Sequence, residues 1–193
     1  MDIDSTGALI VSGLPGSASY LRRISWEDDS FAIRPIGIRP SGLRTPPRMT
    51  ANNDNSYLSS VVDEANFVHV YDPQHVAIIR YTLEGALVSV VTLPDTITLP
   101  LVDQAVSINS RVGSANAPFV AGFFSETSDG RLLLTFSPGQ PLIGIIISPG
   151  DYRATPILRR EASTPATDRL LLWRSMLVAV SADGVRVFRL RSE

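Results

Sequence analysis

The sequence predicts an all-β chain built as about four antiparallel meanders of similar size, and three observations carry that prediction. Short β-branched and aromatic runs alternate with clusters of Gly, Pro, Asn, Asp and Ser along the whole chain, as strands separated by turns do. Several runs, such as "LIGIIIS" and "ALVSVVTL", are continuously apolar, which suits strands buried on both faces in stacked sheets. Finally, a hydrophobic run, a Ser or Asp, and a turn recur four times, as "LIVSGLPG" (9–16), "HVYDPQHV" (69–76), "LTFSPGQP" (134–141) and "VAVSADGV" (178–185).

Taken in order, strands are expected near 8–13, 19–25, 31–38, 57–62, 67–72, 76–82, 86–92, 119–124, 131–136, 142–147, 169–173, 176–181 and 185–190. The one helical candidate is 101–112, "LVDQAVSINSRV", whose Val and Ile content leaves a strand open as well. Residues 39–56, rich in Pro, Asn and Ser, and residues 109–118, small and polar, read as loop insertions. The anchors Ser12, Asp72, Ser137 and Ser181 lie 60, 65 and 44 residues apart. A second turn precedes each later anchor, "DEAN" at 63–66, "TSDG" at 127–130 and "RS" at 174–175. An interval of 44 is the length of one propeller blade, and the longer intervals are a blade plus the two loops. The expected fold is therefore a β-propeller-like array of about four blade-sized antiparallel meanders within one domain, 1–193. A β-sandwich is the alternative, although it gives no reason for a turn recurring at the same place in each unit.

Composition narrows the function. At 193 residues with 44% hydrophobic and 19% charged residues, the chain is long enough to bury a substantial core. A net charge of −2 gives no electrostatic footprint for nucleic acid. All 17 basic residues are arginine, scattered rather than clustered, as the codon bias of a GC-rich genome produces. The absence of cysteine excludes disulfides, thiolate nucleophiles, zinc–thiolate sites and iron–sulfur clusters. No apolar run reaches the eighteen residues of a membrane span, and the start, "MDIDSTGALIVSG", does not read as a signal peptide.

The stretch 61–90, "VVDEANFVHVYDPQHVAIIRYTLEGALVSV", resembles an NHL-type repeat of a six-bladed β-propeller. Val62-Asp63, Asn66, Val70, Asp72, Ile78-Ile79, Tyr81, Glu84-Gly85 and Leu87-Val88 occupy the pattern's places, with Ala65 where a glycine is usual and the pattern's arginine displaced to Arg80 or absent. The unit at 122–152 and the ending "MLVAVSADGVRVFRL" match more loosely. The resemblance implies a bacterial propeller incomplete at its N-terminus, since six blades need roughly 240 residues at this blade size; relatives of this kind are often exported.

Candidate chemistry centres on the only two histidines, which flank an aspartate as His69, Asp72 and His75. A tight turn at Asp72-Pro73-Gln74-His75, with Pro73 presetting φ, would pair Asp72 with His75, Tyr71 with Val76 and His69 with Ile78. Strand alternation then aims His69 and Asp72 at opposite faces, so the three cannot share one zinc. His69 reads as a packed residue and His75 as a solvated turn residue. The acid pairs Asp28-Asp29 and Asp63-Glu64 read as solvated turn acids, and "GLPGSAS" (13–19) and "SPGQP" (137–141) as hairpin turns rather than phosphate loops.

The resemblance also suggests a calcium-type site of oxygen ligands from several blades, for which Asp63, Glu64, Asn66 and Asp129 are the candidates. With Arg131, these turn residues form the expected binding set. The expected role is non-catalytic, a scaffold that binds a small-molecule ligand or a protein partner through rim loops, with no cofactor or with calcium. The competing expectations are a calcium-dependent propeller hydrolase or lactonase, and an assembly module that self-associates through open edge strands.

Overall fold

The computed structural model describes residues 2–12, 19–49, 58–112, 120, 122–126, 131–136, 142–148, 154–158, 169–173, 176–181 and 184–189. These fall into two compact units, Met1–Ala121 and Gly122–Glu193. The turns read at 13–18, 127–130, 137–141, 174–175 and 182–183, and the loop stretches 50–56 and 113–118, lie outside the described residues.

The first unit holds two four-stranded sheets. One is formed by β1 (Asp2–Ile3), β2 (Leu9–Ser12), β3 (Ser19–Glu27) and β4 (Ser30–Ile38), the other by β5 (Ser59–Val62), β6 (Phe67–Asp72), β7 (Ala77–Thr82) and β8 (Leu87–Thr92). A helix, α1 (Asp95–Val112), follows. The second unit holds β9 (Gly122–Glu126), β10 (Leu132–Phe136), β11 (Leu142–Ile147) and β12 (Ala154–Leu158) in one sheet, and β13 (Arg169–Trp173), β14 (Met176–Ser181) and β15 (Gly184–Arg189) in another. Within every sheet the hydrogen-bonded neighbours are consecutive in sequence and antiparallel. These are the expected meanders. The sequence reading missed β1 and β12, and α1 begins six residues before the expected start; it ends at Val112 as expected, so the loop reading of 109–118 fails over 109–112.

The turns explain why the chain reverses where it does. Asp4–Ala8, Asp63–Phe67 and Thr82–Ala86 close in the same way. In each, the first N–H donates to the fifth carbonyl at 2.9–3.0 Å, and the fourth N–H donates to the first carbonyl at the same range. The fourth residue is left-handed in each, as Gly7 (φ 84°), Asn66 (φ 61°) and Gly85 (φ 90°), which is the three-residue hairpin geometry that calls for Gly or Asn there. Asp28 and Asp29, with φ of 47° and 60°, make the two-residue turn between the paired Glu27 and Ser30; both are exposed.

The core of the first unit lies between its two sheets. Ile10, Tyr20, Leu21 and Ile36 from one sheet meet Val62, Val68, Val70, Ile79 and Tyr81 from the other, and burying each apolar side chain contributes roughly 1.5–3 kcal/mol. Continuous apolar runs fill the second unit likewise, with Leu132, Leu133 and Leu134 facing Ile145, Ile146 and Ile147 across β10 and β11. In α1 the buried positions are Ile97, Thr98, Leu101 and Val102, one face at helical spacing. Thr98 Oγ1 donates to the Leu93 carbonyl at 3.1 Å, which secures the helix start.

Candidate functional site

The polar centre of the first unit is Asp72, at the end of β6 and only 1% exposed. One carboxylate oxygen accepts from the Tyr20 hydroxyl at 2.5 Å and from His75 Nδ1 at 2.8 Å. The other accepts from the backbone N–H groups of Gln74 at 2.9 Å and His75 at 3.2 Å. Burial pushes the Asp72 carboxyl upward, yet the hydrogen bonds from His75 and Tyr20 outweigh it and hold the group below the usual carboxylate range. Burial drives the Tyr20 hydroxyl far above its ordinary value, and the Asp72 charge adds to that. Tyr20 belongs to the first sheet and Asp72 to the second, so this bond fastens one meander to the next. Asp2 does the same on β1, its Oδ2 accepting from the Val62 N–H at 2.6 Å.

This corrects two expectations. His75 is buried at 6% exposure rather than solvated. The β6–β7 pairing joins Asp72 to Ala77, Tyr71 to Ile78 and His69 to Arg80, because the turn holds four residues, 73–76, rather than two. It ends on Val76, fully buried with φ 49°, a conformation unfavourable for a β-branched residue and sustained by its burial.

The second polar centre is Asp63, also buried and not a solvated turn acid. Its Oδ1 accepts from the N–H groups of Ala65 at 3.0 Å and Phe67 at 2.8 Å. Its Oδ2 meets His69 Nε2 at 2.8 Å and lies 3.6 Å from the Arg80 guanidinium. Burial acts to raise its pKa, and the His69 and Phe67 bonds bring it below the ordinary value. The two histidines thus serve two different aspartates.

Asp4 is the counterpart of Asp63 one meander earlier, 59 residues back. Its Oδ1 accepts from the N–H groups of Thr6 and Ala8, and its Oδ2 from Arg23 Nε at 2.7 Å. Arg23 pairs with Ile10 as Arg80 pairs with His69, so the two arginines are equivalent and each reaches its own turn aspartate. Sequence reasoning missed Asp4; the signal was the D-x-x-[G/N] spacing shared by "DSTG" and "DEAN".

The expected binding set is dispersed. Glu64 is exposed at the β5–β6 turn and Asn66 supplies that turn's left-handed residue. Arg131 directly precedes β10 in the second unit, and Asp129 lies outside the described residues. Among the described residues no group of three or more His, Asp or Glu side chains is disposed to hold a metal ion.

Two cavities border these elements. His75, Arg44, Asp95 and Thr98 line one of about 10 Å³, room for a single water. The other is a hollow of about 380 Å³ where the end of β4 meets the β7–β8 turn, lined by Ile38, Arg39, Pro40, Tyr81, Gly85 and Leu87. The Tyr81 hydroxyl is anchored on the Ile38 carbonyl at 2.9 Å, and Arg39 lies over the Tyr20 ring at 5.1 Å.

Consecutive four-stranded meanders of this kind place the chain among the propeller-type, all-β repeat folds. Among solved structures it is similar to virginiamycin B lyase from Staphylococcus aureus, with a TM-score of 0.52 and 14% sequence identity, over 99% of this chain and 55% of that one. The chain thus spans about half the length of that protein, and the likeness is one of fold. No protein-family model matches the sequence, and no curated protein does.

Proposed function

We propose that the chain is a non-catalytic propeller scaffold of the NHL-repeat, six-bladed bacterial kind, binding a small ligand through the loops that border the 380 Å³ hollow. The contrast between the two cavities carries this reading. The Asp72–His75–Tyr20 cluster, which has the residue types of acid–base catalysis, opens on space for one water, and every Asp72 contact is spent on the turn and on joining two sheets. The hollow has a ligand-sized volume, apolar walls from Leu87, Pro40 and Ile38, and one guanidinium from Arg39. That lining suits a ligand with an apolar body and one anionic group.

Aryl carboxylates titrated into isotope-labelled protein test the proposal. Chemical-shift changes are expected at residues 38–41, 81 and 85–87, weakened at least tenfold by Arg39→Ala and abolished by Leu87→Asp. His75→Ala lowers stability and leaves binding intact. Turnover of any substrate that disappears in His75→Ala while the fold persists would overturn the non-catalytic reading.

A further inference from the structure

A hairpin turn ordinarily lies at the surface, yet every residue of 72–76 is buried, the polar Asp72, Gln74 and His75 included. The turn also holds Val76 in the left-handed region, and backbone kept in so unfavourable a conformation gathers at functional sites. His75 Nδ1 donates to Asp72 at 2.8 Å, while its Nε2 has no hydrogen-bond partner among the described residues. The ring borders the 10 Å³ cavity. Two insertions complete the cavity wall over it, with Arg44, Pro46 and Pro47 from the segment after β4 and Asp95 and Thr98 from α1.

The two insertions are clasped to each other by charge. Arg44 Nη1 lies 3.6 Å from the Asp95 carboxylate, and Arg48 Nη1 lies 2.6 Å from that of Asp103. Asp95 and Asp103 are about 12 Å apart along the helix at ~1.5 Å per residue, so the segment 44–48 runs beside α1. It closes on a turn in which the Met49 N–H donates to the Pro46 carbonyl at 3.2 Å. Pro47 takes the second position of that turn and Arg48 the third, at φ 67°, where a turn of this type calls for glycine. The left-handed residue is thus the one that reaches Asp103. The rest of the hold is slight. Leu43 packs on the core and Pro46 and Met49 are buried. Among the described residues, however, 40–49 make no backbone hydrogen bond to a strand or to α1. Segments so held open locally, well below the cost of global unfolding.

We propose that residues 43–49 are a lid, clasped to α1 through Arg44–Asp95 and Arg48–Asp103, whose local opening gates access to His75. Closed, the cavity has room for one water. Open, the turn offers small solutes carrying an O–H or N–H an acceptor, His75 Nε2, on a ring whose other nitrogen is fixed on the buried Asp72 carboxylate. This goes beyond ligand binding in the 380 Å³ hollow and does not depend on it.

Diethyl pyrocarbonate, which acylates an unprotonated imidazole nitrogen, reads the opening on the full chain. The sequence has two histidines and neither cysteine nor lysine, so competing reactions are few, and mass spectrometry of the two peptides follows each histidine. His69, buried in mid-strand with Nε2 on Asp63, is the internal reference for global unfolding. His75 should label at least about tenfold faster than His69 and more slowly than an exposed histidine in a peptide. Asp103→Asn, remote from the cavity wall, should speed His75 labelling about two- to fivefold, the range of a single exposed ion pair. Raising the ionic strength to about 1 M should do at least as much, and neither change should move His69 labelling or the melting temperature. The charge swap Arg48→Asp with Asp103→Arg should restore the slow rate. Equal rates at the two histidines overturn the proposal, because the turn is then uncovered only when the whole unit unfolds. So does a His75 that labels as fast as a peptide histidine, or one indifferent to Asp103→Asn and to salt.

Discussion

Replacing Asp72 with alanine strips one acceptor from four donors at once. The Tyr20 hydroxyl at 2.5 Å, His75 Nδ1 at 2.8 Å and two backbone N–H groups at 2.9 and 3.2 Å all end on this carboxylate. A buried donor left without a partner costs about 1–3 kcal/mol. Tyr20 is fully buried and bears that cost undiminished. The cavity beside His75 admits one water, which can serve one of the remaining donors. The expected loss is on the order of 4 kcal/mol, confined to the first unit. At roughly 3–5 °C per kcal/mol for a unit of this size, the corresponding calorimetric transition falls by more than about 10 °C. Tyr20→Phe removes only one donor and leaves Asp72 bonded to His75 and the turn, so it costs about 1–2 kcal/mol. Differential scanning calorimetry of the two variants beside the parent chain decides the matter. If Asp72→Ala loses no more than Tyr20→Phe, the carboxylate is not the hub that the geometry describes.

The remaining expectations concern turns, pH and calcium. Gly37 has φ 65°, and a Cβ there would lie 2.9 Å from the Tyr81 ring; Gly37→Ala should therefore cost more than the ~1–2 kcal/mol of left-handed strain alone. Gly7→Ala, with φ 84° and open space around it, should cost only that strain, and urea melts of the pair measure the difference. Asn66→Gly should be neutral or slightly stabilising and Asn66→Val should lose about 1–2 kcal/mol, also read from urea melts. Asp4, Asp63 and Asp72 are all held below the ordinary carboxylate value, Asp4 at about 2. The unfolded chain takes up protons near pH 4 that the folded carboxylates refuse. Stability is thus fully present above that pH and is lost as pH falls through the folded values, most of it between about pH 4 and 2; acid-unfolding curves should flatten in Asp4→Asn. Millimolar calcium should leave the melting temperature unchanged, and a clear rise would favour the hydrolase reading instead.

The meanders were legible because their signals are local. Alternation of apolar runs with Gly, Asn and Asp depends on backbone sterics that act within a few residues, so β6, β10, β11 and β14 fall within a residue of where the sequence puts them. Two-residue β1 carries too short a run to register, and β12 has Pro156 at its centre, which argues against a strand unless it lies at an edge. The helix start escaped notice because Pro100 interrupts "DTITLPLVDQ". Nothing about Pro73 distinguishes a two-residue turn from a four-residue one, and the hairpin register followed from that choice.

What the sequence determined alone was the class of fold, the order of the strands and the separation of the two histidines, which strand alternation aims at different neighbours. What only the tertiary structure decided was what each polar side chain meets. Tyr20 lies 52 positions from Asp72, and no spacing rule joins residues of different sheets. The burial of His75 and the equivalence of Asp4 with Asp63 arise the same way. Each depends on which sheet stacks against which face, and that is settled by long-range burial of apolar surface rather than by local backbone preference.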